Sequence, residues 1–283
     1  GMVATPDDFG AHGEPPTDPD LLDWLAVELV EHGWSLKHVH RLMVLSNAYR
    51  QDSRVRQDSR VVAWSPDHAT TADGKRIDPD NHLLWRMNRR RLDAEALRDG
   101  VLAAAGTLNP AVGGPAVKTP LEPEVYALIF SESEPDGLWL PDADPRQYTR
   151  RSLYLFHKRN LHLPLLEVFD QPDTLSPCPV RAVSTFAPQA LVLLNGPLLH
   201  EQSRAFAARL LREAGPDDAA RVDLAYRLAL ARPPSEAERK AALAFLAAQT
   251  DLLRDRARAD PAAAALADFC LAMLNRNEFL YVP

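Results

Sequence analysis

Arg86, Arg89, Arg90 and Arg91 surround Met87 and Asn88, and Arg150 and Arg151 precede a stretch that Lys158 and Arg159 follow. Guanidinium groups gathered in this way can hold planar oxyanions through paired hydrogen bonds. One reading is therefore an anion site for phosphate, a sulfated sugar or a partner's carboxylates. The competing reading is internal ion pairing. With 32 Lys+Arg against 39 Asp+Glu and a net charge of −7, acids are in excess, which favours internal pairing. The set best placed to meet a ligand is Arg150, Arg151, Arg181, Ser184 and Gln189. These residues lie beside a Pro-rich irregular region and the turn around Cys178, and loops carry function more often than helices do.

Other chemistry is thinly represented. Cys178 sits between Pro177 and Pro179; a nucleophilic thiol would need a partner histidine, and a rigid turn explains the residue as well. Cys270 lies on an apolar stripe and reads as core. His38 and His40 are two apart, about 200° around a helix, and cannot share an ion from one face. His157 and His162 converge only if the chain turns between them. Glu132 and Glu134 could act as an acid–base pair on a polysaccharide, but two residues apart in a turn they read as solvated. Trp24, Trp34, Trp64, Trp85 and Trp139 could stack on sugars, although helical positions such as Trp24 are more often core. Gly-x-Gly-x-x-Gly, a phosphate loop, Gly-x-Ser-x-Gly, His-Glu-x-x-His and Cys-x-x-Cys-His are all absent from the sequence. Gly113-Gly114-Pro115 only imitates a phosphate loop, because Pro115 lacks an amide N–H. No metal site and no cofactor are expected, and the motifs name no catalytic residue.

The elements that must position these residues are mostly helical. At 283 residues, 46% hydrophobic and 25% charged, the chain can bury a sizeable core. Its acidity argues against nucleic acid. No apolar run approaches the ~18 residues of a membrane span, and residues 1–20 lack the pattern of a signal peptide. Two Cys exclude a disulfide-built scaffold. Only five basic residues are Lys, so single arginines carry less weight than usual.

Residues 1–17 read as an extended lead-in. Asp18 can cap a helix opening on Pro19 and ending at Gly33, with Leu22, Leu25, Ala26 and Leu29 on one face. Ser35 can cap the next, with Trp34 stapled onto Val39. An exact tandem hexapeptide, 50–55 and 56–61, reads as a surface duplication, and residues 62–80 as a loop. Asp93 can cap a third helix. Residues 106–150 are irregular, with strands expected near 126–130 and 152–157. Further helices follow from Pro188, after Pro197, after Asp217, from a Ser235/Glu238 capping box, and from Asp260-Pro261. The predicted fold is mainly α: one helical domain over 1–283 with a long irregular Pro-rich central region and a few short strands. It comprises an N-terminal helix pair over 18–50, an irregular, short-strand region over 106–185, and a C-terminal helical part over 186–283.

Several blocks together carry a resemblance. They are Asp18–Ala26 with Gly33–Lys37, Asp80–Glu95, Cys178-Pro179 with Ser184–Leu191, Leu228–Pro234, and Leu274–Val282. In these the chain resembles the planctomycete-type C-terminal domain known as domain of unknown function 1553. The resemblance implies a context: such domains usually end large secreted proteins with an N-terminal c-type cytochrome domain. It implies no established activity and no catalytic residues. On that basis the chain is expected to be part of a longer extracytoplasmic parent. Its expected role is a non-catalytic interaction module whose partners are sister domains, without nucleic-acid binding or membrane insertion. The alternative is a polysaccharide-directed enzyme, or a carbohydrate- or anion-binding module, using the 106–190 region.

Overall fold

A computed structural model describes residues 2–8, 10–51, 53, 71–123, 125–126, 139–159 and 161–282. Among these the fold is mainly α, with eleven α-helices and a single two-stranded ladder. Five of the helices begin where a side-chain oxygen accepts from an otherwise unpaired N–H group. Asp18, Ser35, Asp217 and Asp260 each do so, and Ser235 with Glu238 forms the full reciprocal box. Contacts divide the chain into two compact units, Gly1–Arg90 with Val282–Pro283, and Arg91–Tyr281.

The first unit contains helices α1 (Pro19–Glu31), α2 (Leu36–Leu45) and α3 (Thr71–Ile77). Its beginning is not extended: Thr17 N–H donates to the Met2 carbonyl at 2.9 Å, so the lead-in folds back through turns. Between α1 and α2 the chain reverses through two left-handed residues, Gly33 (φ 65°) and Trp34 (φ 60°). That turn swings the indole outward, so Trp34 is 71% exposed and does not staple onto Val39. The helix α3 lies inside the 62–80 segment expected to be a loop. It accommodates Gly74 because the Trp85 ring lies against it; a Cβ there would come within 2.7 Å of the indole. After α3, Asp78 accepts from the His82 and Leu83 amides at 2.9 and 2.8 Å, and Asn81 bonds Arg86 and Asn88. Nearly all of the tandem hexapeptide lies outside the described residues.

The second unit contains α4 (Ala94–Ala105), α5 (Pro164–Val168), α6 (Ala187–Asn195), α7 (Pro197–Ala214), α8 (Asp218–Leu230), α9 (Glu236–Asp255), α10 (Pro261–Leu274) and α11 (Asn277–Leu280). The ladder joins β1 (Arg90–Arg91) to β2 (Tyr281–Val282). Helix α10 packs on α7 and α9, and α4 packs on α7. The expected stripe Ala94, Leu97, Val101 and Ala105 is buried, as are Leu266, Phe269, Cys270, Met273 and Leu274. These side chains meet Phe206, Leu210, Val222 and Leu246 in one apolar core. Phe279 docks on the body, its ring tip 3.6 Å from where a Cβ on Gly100 would lie.

Three sequence expectations change here. Residues 152–157 form no strand: Ser152–Tyr154 is a 3-10 turn, and only Leu155 bridges, to Val117. Tyr126 is helical, and residues 127–130 of the other expected strand lie outside the described residues. Asp93 occupies the N-cap position of α4 without capping it; its carboxylate lies 3.9 Å from Arg181 instead.

Phe206 has no exposed surface. Phe206→Ala should lower unfolding free energy by about 3–5 kcal/mol through cavity formation, while Leu153→Ala, at a position 68% exposed, should change it by less than about 0.5 kcal/mol. Urea melts of the two variants distinguish these outcomes.

Candidate functional site

The five residues expected to hold an anion fall at three places along α4. The first is a polar knot before its N-terminus. Arg91 is buried, and its guanidinium donates to the Phe169 carbonyl at 3.0 Å, to Asp170 at 2.7 Å and to the Ser184 carbonyl at 2.8 Å, over the Phe169 ring. Ser184 donates to Asp170 through both its amide and its hydroxyl, at 2.9 and 2.7 Å. Gln189, at the start of α6, donates to the Val168 carbonyl at 3.0 Å and to the Ser184 hydroxyl at 3.1 Å. Asp170 adopts a left-handed φ of 61°, a conformation that Asp tolerates better than most residues. Burial alone would raise its carboxyl. The Ser184 hydrogen bonds and the Arg91 charge outweigh that and hold it below the usual carboxylate range.

The second place is the first turn of α4. Arg181 grips Glu95 with two hydrogen bonds, 2.6 and 3.2 Å, and approaches Asp93. Burial would raise the Glu95 carboxyl, but the Arg181 hydrogen bond and charge draw it down. The third place is one turn further along. Arg98 is buried and donates to the Arg150 and Tyr148 carbonyls and to the Ser152 hydroxyl, while Asp99 accepts from the Ser152 amide and hydroxyl at 2.7 Å each. Arg150 is also buried. It stacks 3.8 Å over the Tyr154 ring and donates to the carbonyls of Ala111 and Gly113. Arg151 remains half-exposed with Asp99 3.8 Å away.

Ser184 and Gln189 therefore meet, and Arg181, Arg150 and Arg151 stand apart from them. Each of the three arginines faces a carboxylate or carbonyl of the chain. Asp170, the acceptor that organises the first knot, was invisible in the sequence because nothing local pairs it with Arg91. The Gly113-Gly114 turn wraps the Arg150–Tyr154 stack: the Gly113 amide donates to the Tyr154 hydroxyl at 2.9 Å.

The remaining reactive groups are also accounted for. The Cys178 thiol is exposed and donates to the Val180 carbonyl at 3.4 Å. Cys270 is buried among apolar side chains, which pushes its thiol well above the ordinary range. His157 bonds Gln171 at 2.9 Å, and His162 lies 4.0 Å from Glu167. Glu132 and Glu134 lie outside the described residues. An open polar hollow of about 410 Å³ is lined by Thr107, Asn109, Asp144, Arg146, Gln147 and Thr149. Its one carboxylate is engaged: the Arg146 hydrogen bonds hold Asp144 at about 2. A second hollow, about 360 Å³, lies between α5 and α6 and is lined mainly by aliphatic side chains such as Leu165, Leu191 and Leu198.

The exposed apolar surface of the first unit is of another kind. Helix α1 turns Leu22, Leu25 and Leu29 inward, yet Leu21, Trp24, Val27 and Val30 stand 40–54% exposed around its other sides. Trp24, expected in the core, is therefore outside it. On α2, Leu36, Met43, Val44 and Leu45 are exposed as well. Leu25 and Val39 are the buried apolar side chains among this unit's described residues. A helix apolar on nearly all sides ordinarily has neighbours on all sides.

The chain belongs to the family described as PSD1, protein of unknown function (DUF1553), whose model matches residues 1–246. That match takes in both units and ends within α9, before the Leu274–Val282 block. No curated protein and no solved structure matches the chain.

Because the folded Asp170 carboxyl lies below its ordinary value, its contribution to stability is present above the unfolded pKa and is lost as pH falls through the folded one. Asp170→Asn leaves Arg91 buried without its counter-charge and should destabilise by about 3 kcal/mol at pH 7. The gap to wild type should close below about pH 4. Denaturant melts across that range test the sign.

Proposed function

We propose that this chain is a non-catalytic interaction module of a larger extracytoplasmic polypeptide whose other domains carry haem, and that the α1–α2 hairpin docks on a sister domain. The observation that carries this reading is the imbalance within the hairpin. Leu25 and Val39 are its only buried apolar side chains among the described residues. Meanwhile Trp24, Val27, Val30 and Leu36 remain in water. Contiguous exposed apolar surface of this kind marks interaction sites, and buried tryptophans dominate the energetics of such interfaces. The cytochrome-bearing parent and the extracytoplasmic setting rest on the resemblance set out above.

The polar side of the chain supports the same reading. The candidate arginines Arg150 and Arg181 are engaged by acceptors of the chain itself, and Arg151 faces Asp99. A polysaccharide-directed role would use the hollow at Thr107–Thr149, whose lining contains no aromatic side chain and no second carboxylate.

Trp24→Glu with Val27→Glu, introduced into the full-length polypeptide, should leave the chain's own stability within about 0.5 kcal/mol, since both positions are exposed. It should also speed proteolysis at the domain junctions at least tenfold, an undocking estimate consistent with the loss of about 1.4 kcal/mol. An unchanged digestion course would overturn the docking proposal. In parallel, neutral, uronic and sulfated oligosaccharides should give no thermal shift. A sugar at a hundredfold excess over its Kd would add about 2.7 kcal/mol, and a clear shift with one class would favour the carbohydrate reading instead.

A further inference from the structure

We propose that Glu28, His32 and His38 form a binding site for one divalent transition-metal ion of the zinc class. Glu28 lies in the last turn of α1 and His32, four positions on, is its C-cap residue, which places both on one side of the helix end. The left-handed pair Gly33 and Trp34 then reverses the chain, and Ser35 caps α2 by accepting from the His38 amide at 3.3 Å. That cap fixes His38 in the first turn of α2 and returns its ring over Glu28 and His32. The two imidazoles lie 3.7 Å apart and nearly parallel. One carboxylate oxygen of Glu28 stands 2.8 Å from His38 Nε2 and 3.2 Å from His32 Nδ1. All three ligand atoms lie within 4.8 Å of one another.

The donor set decides the class of ion. Two imidazole nitrogens and one carboxylate oxygen suit zinc and its neighbours; calcium and magnesium prefer oxygen throughout. Tetrahedral bonds of about 2.0–2.2 Å place donor atoms about 3.4 Å apart, so the two Glu28–imidazole separations need to open only slightly, and His32 Nδ1 must give up its 3.0 Å contact with the Glu28 carbonyl. The rings must splay from their stack to admit the ion, and side-chain exposures of 45% for His32 and 29% for His38 leave room for that. Three protein ligands leave a fourth position for water or an outside donor. His40 points about 200° away around α2 and takes no part. The pairing of His38 with His32 replaces the His38–His40 pair considered from sequence.

The test uses the chain after chelator treatment, titrated with zinc by calorimetry and with cobalt by visible absorption. One equivalent should bind, with the intense d–d bands of a low-coordinate cobalt site. His32→Ala, His38→Ala and Glu28→Gln should each weaken binding at least tenfold, the lower bound set by what loss of an outer-shell partner alone does. His40→Ala should bind as wild type does. His38→Gln, which keeps a polar side chain at that position, guards against loss of the hairpin fold, checked by far-UV circular dichroism. Zinc uptake unchanged in the His32→Ala/His38→Ala double variant would overturn the assignment. So would the absence of saturable uptake by a wild-type chain whose helical content is intact.

Discussion

The second unit depends on buried guanidinium groups around α4. Arg91 and Arg98 are both less than a tenth exposed, and a charge so placed is costly unless acceptors meet its donors; of the buried nitrogens of these two groups only the Arg91 Nε lacks one among the described residues. The acceptors they use come from far along the chain. Arg91 reaches residues 78 to 93 positions away, and Arg98 reaches residues 50 to 54 positions away. The requirement to satisfy those donors draws two irregular segments, 148–152 and 169–184, onto one helix. With its apolar stripe in the core, α4 thus joins hydrophobic packing to the ordering of a region that has little regular structure of its own. A second set of ion pairs closes the far end. Arg232 is held by Glu238 and Glu278, and Arg276 joins Glu238 and the Tyr226 hydroxyl. The Leu228–Pro234 and Leu274–Val282 blocks therefore meet through side chains that each of them supplies.

Helix starts were legible because a cap is a local event. Asp18, Ser35, Asp217, Ser235 with Glu238, and Asp260 each bond an amide two or three residues away. The apolar stripes of α4 and α10 were legible for the same reason, since a period of 3.6 residues is written in the sequence itself. Helix α3 was not: it is short, polar and contains Gly74, and the Trp85 ring against that glycine lies eleven residues on. The β-rich run 152–157 was misleading, because the Arg98 and Asp99 contacts to Ser152 hold a tight turn where alternation alone suggests a strand.

The candidate site was legible only in its parts. Arginines beside an irregular region are visible in the sequence; their acceptors are not, because many are backbone carbonyls, which every residue carries. Ser184 and Gln189 were selected together and do meet. Asp170, which ties them to Arg91, carries no local signature. The Glu28/His32 spacing was visible in principle, but the third ligand depends on a two-residue left-handed turn that only the fold supplies. Trp24 was weighed as core because tryptophans at helical positions more often are. In α1 Leu22, Leu25 and Leu29 take the inward face, and the larger ring is left outside with Leu21.

The two units divide their physical roles. The second pairs its buried guanidinium groups with acceptors of its own, leaving Arg91 Nε, Arg150 Nε and Arg239 Nε without a partner among the described residues, and buries a large apolar core. The first displays apolar side chains that its own described residues do not cover. Backbone hydrogen exchange of α1 and α2, compared between the 283-residue chain and the full-length polypeptide, tests the interaction-module proposal most directly. Docking on a sister domain predicts exchange at least tenfold slower in the full-length protein, with the amides of α7 and α10 unchanged, as expected when opening free energies are local. Equal exchange of α1 and α2 in both proteins would contradict it.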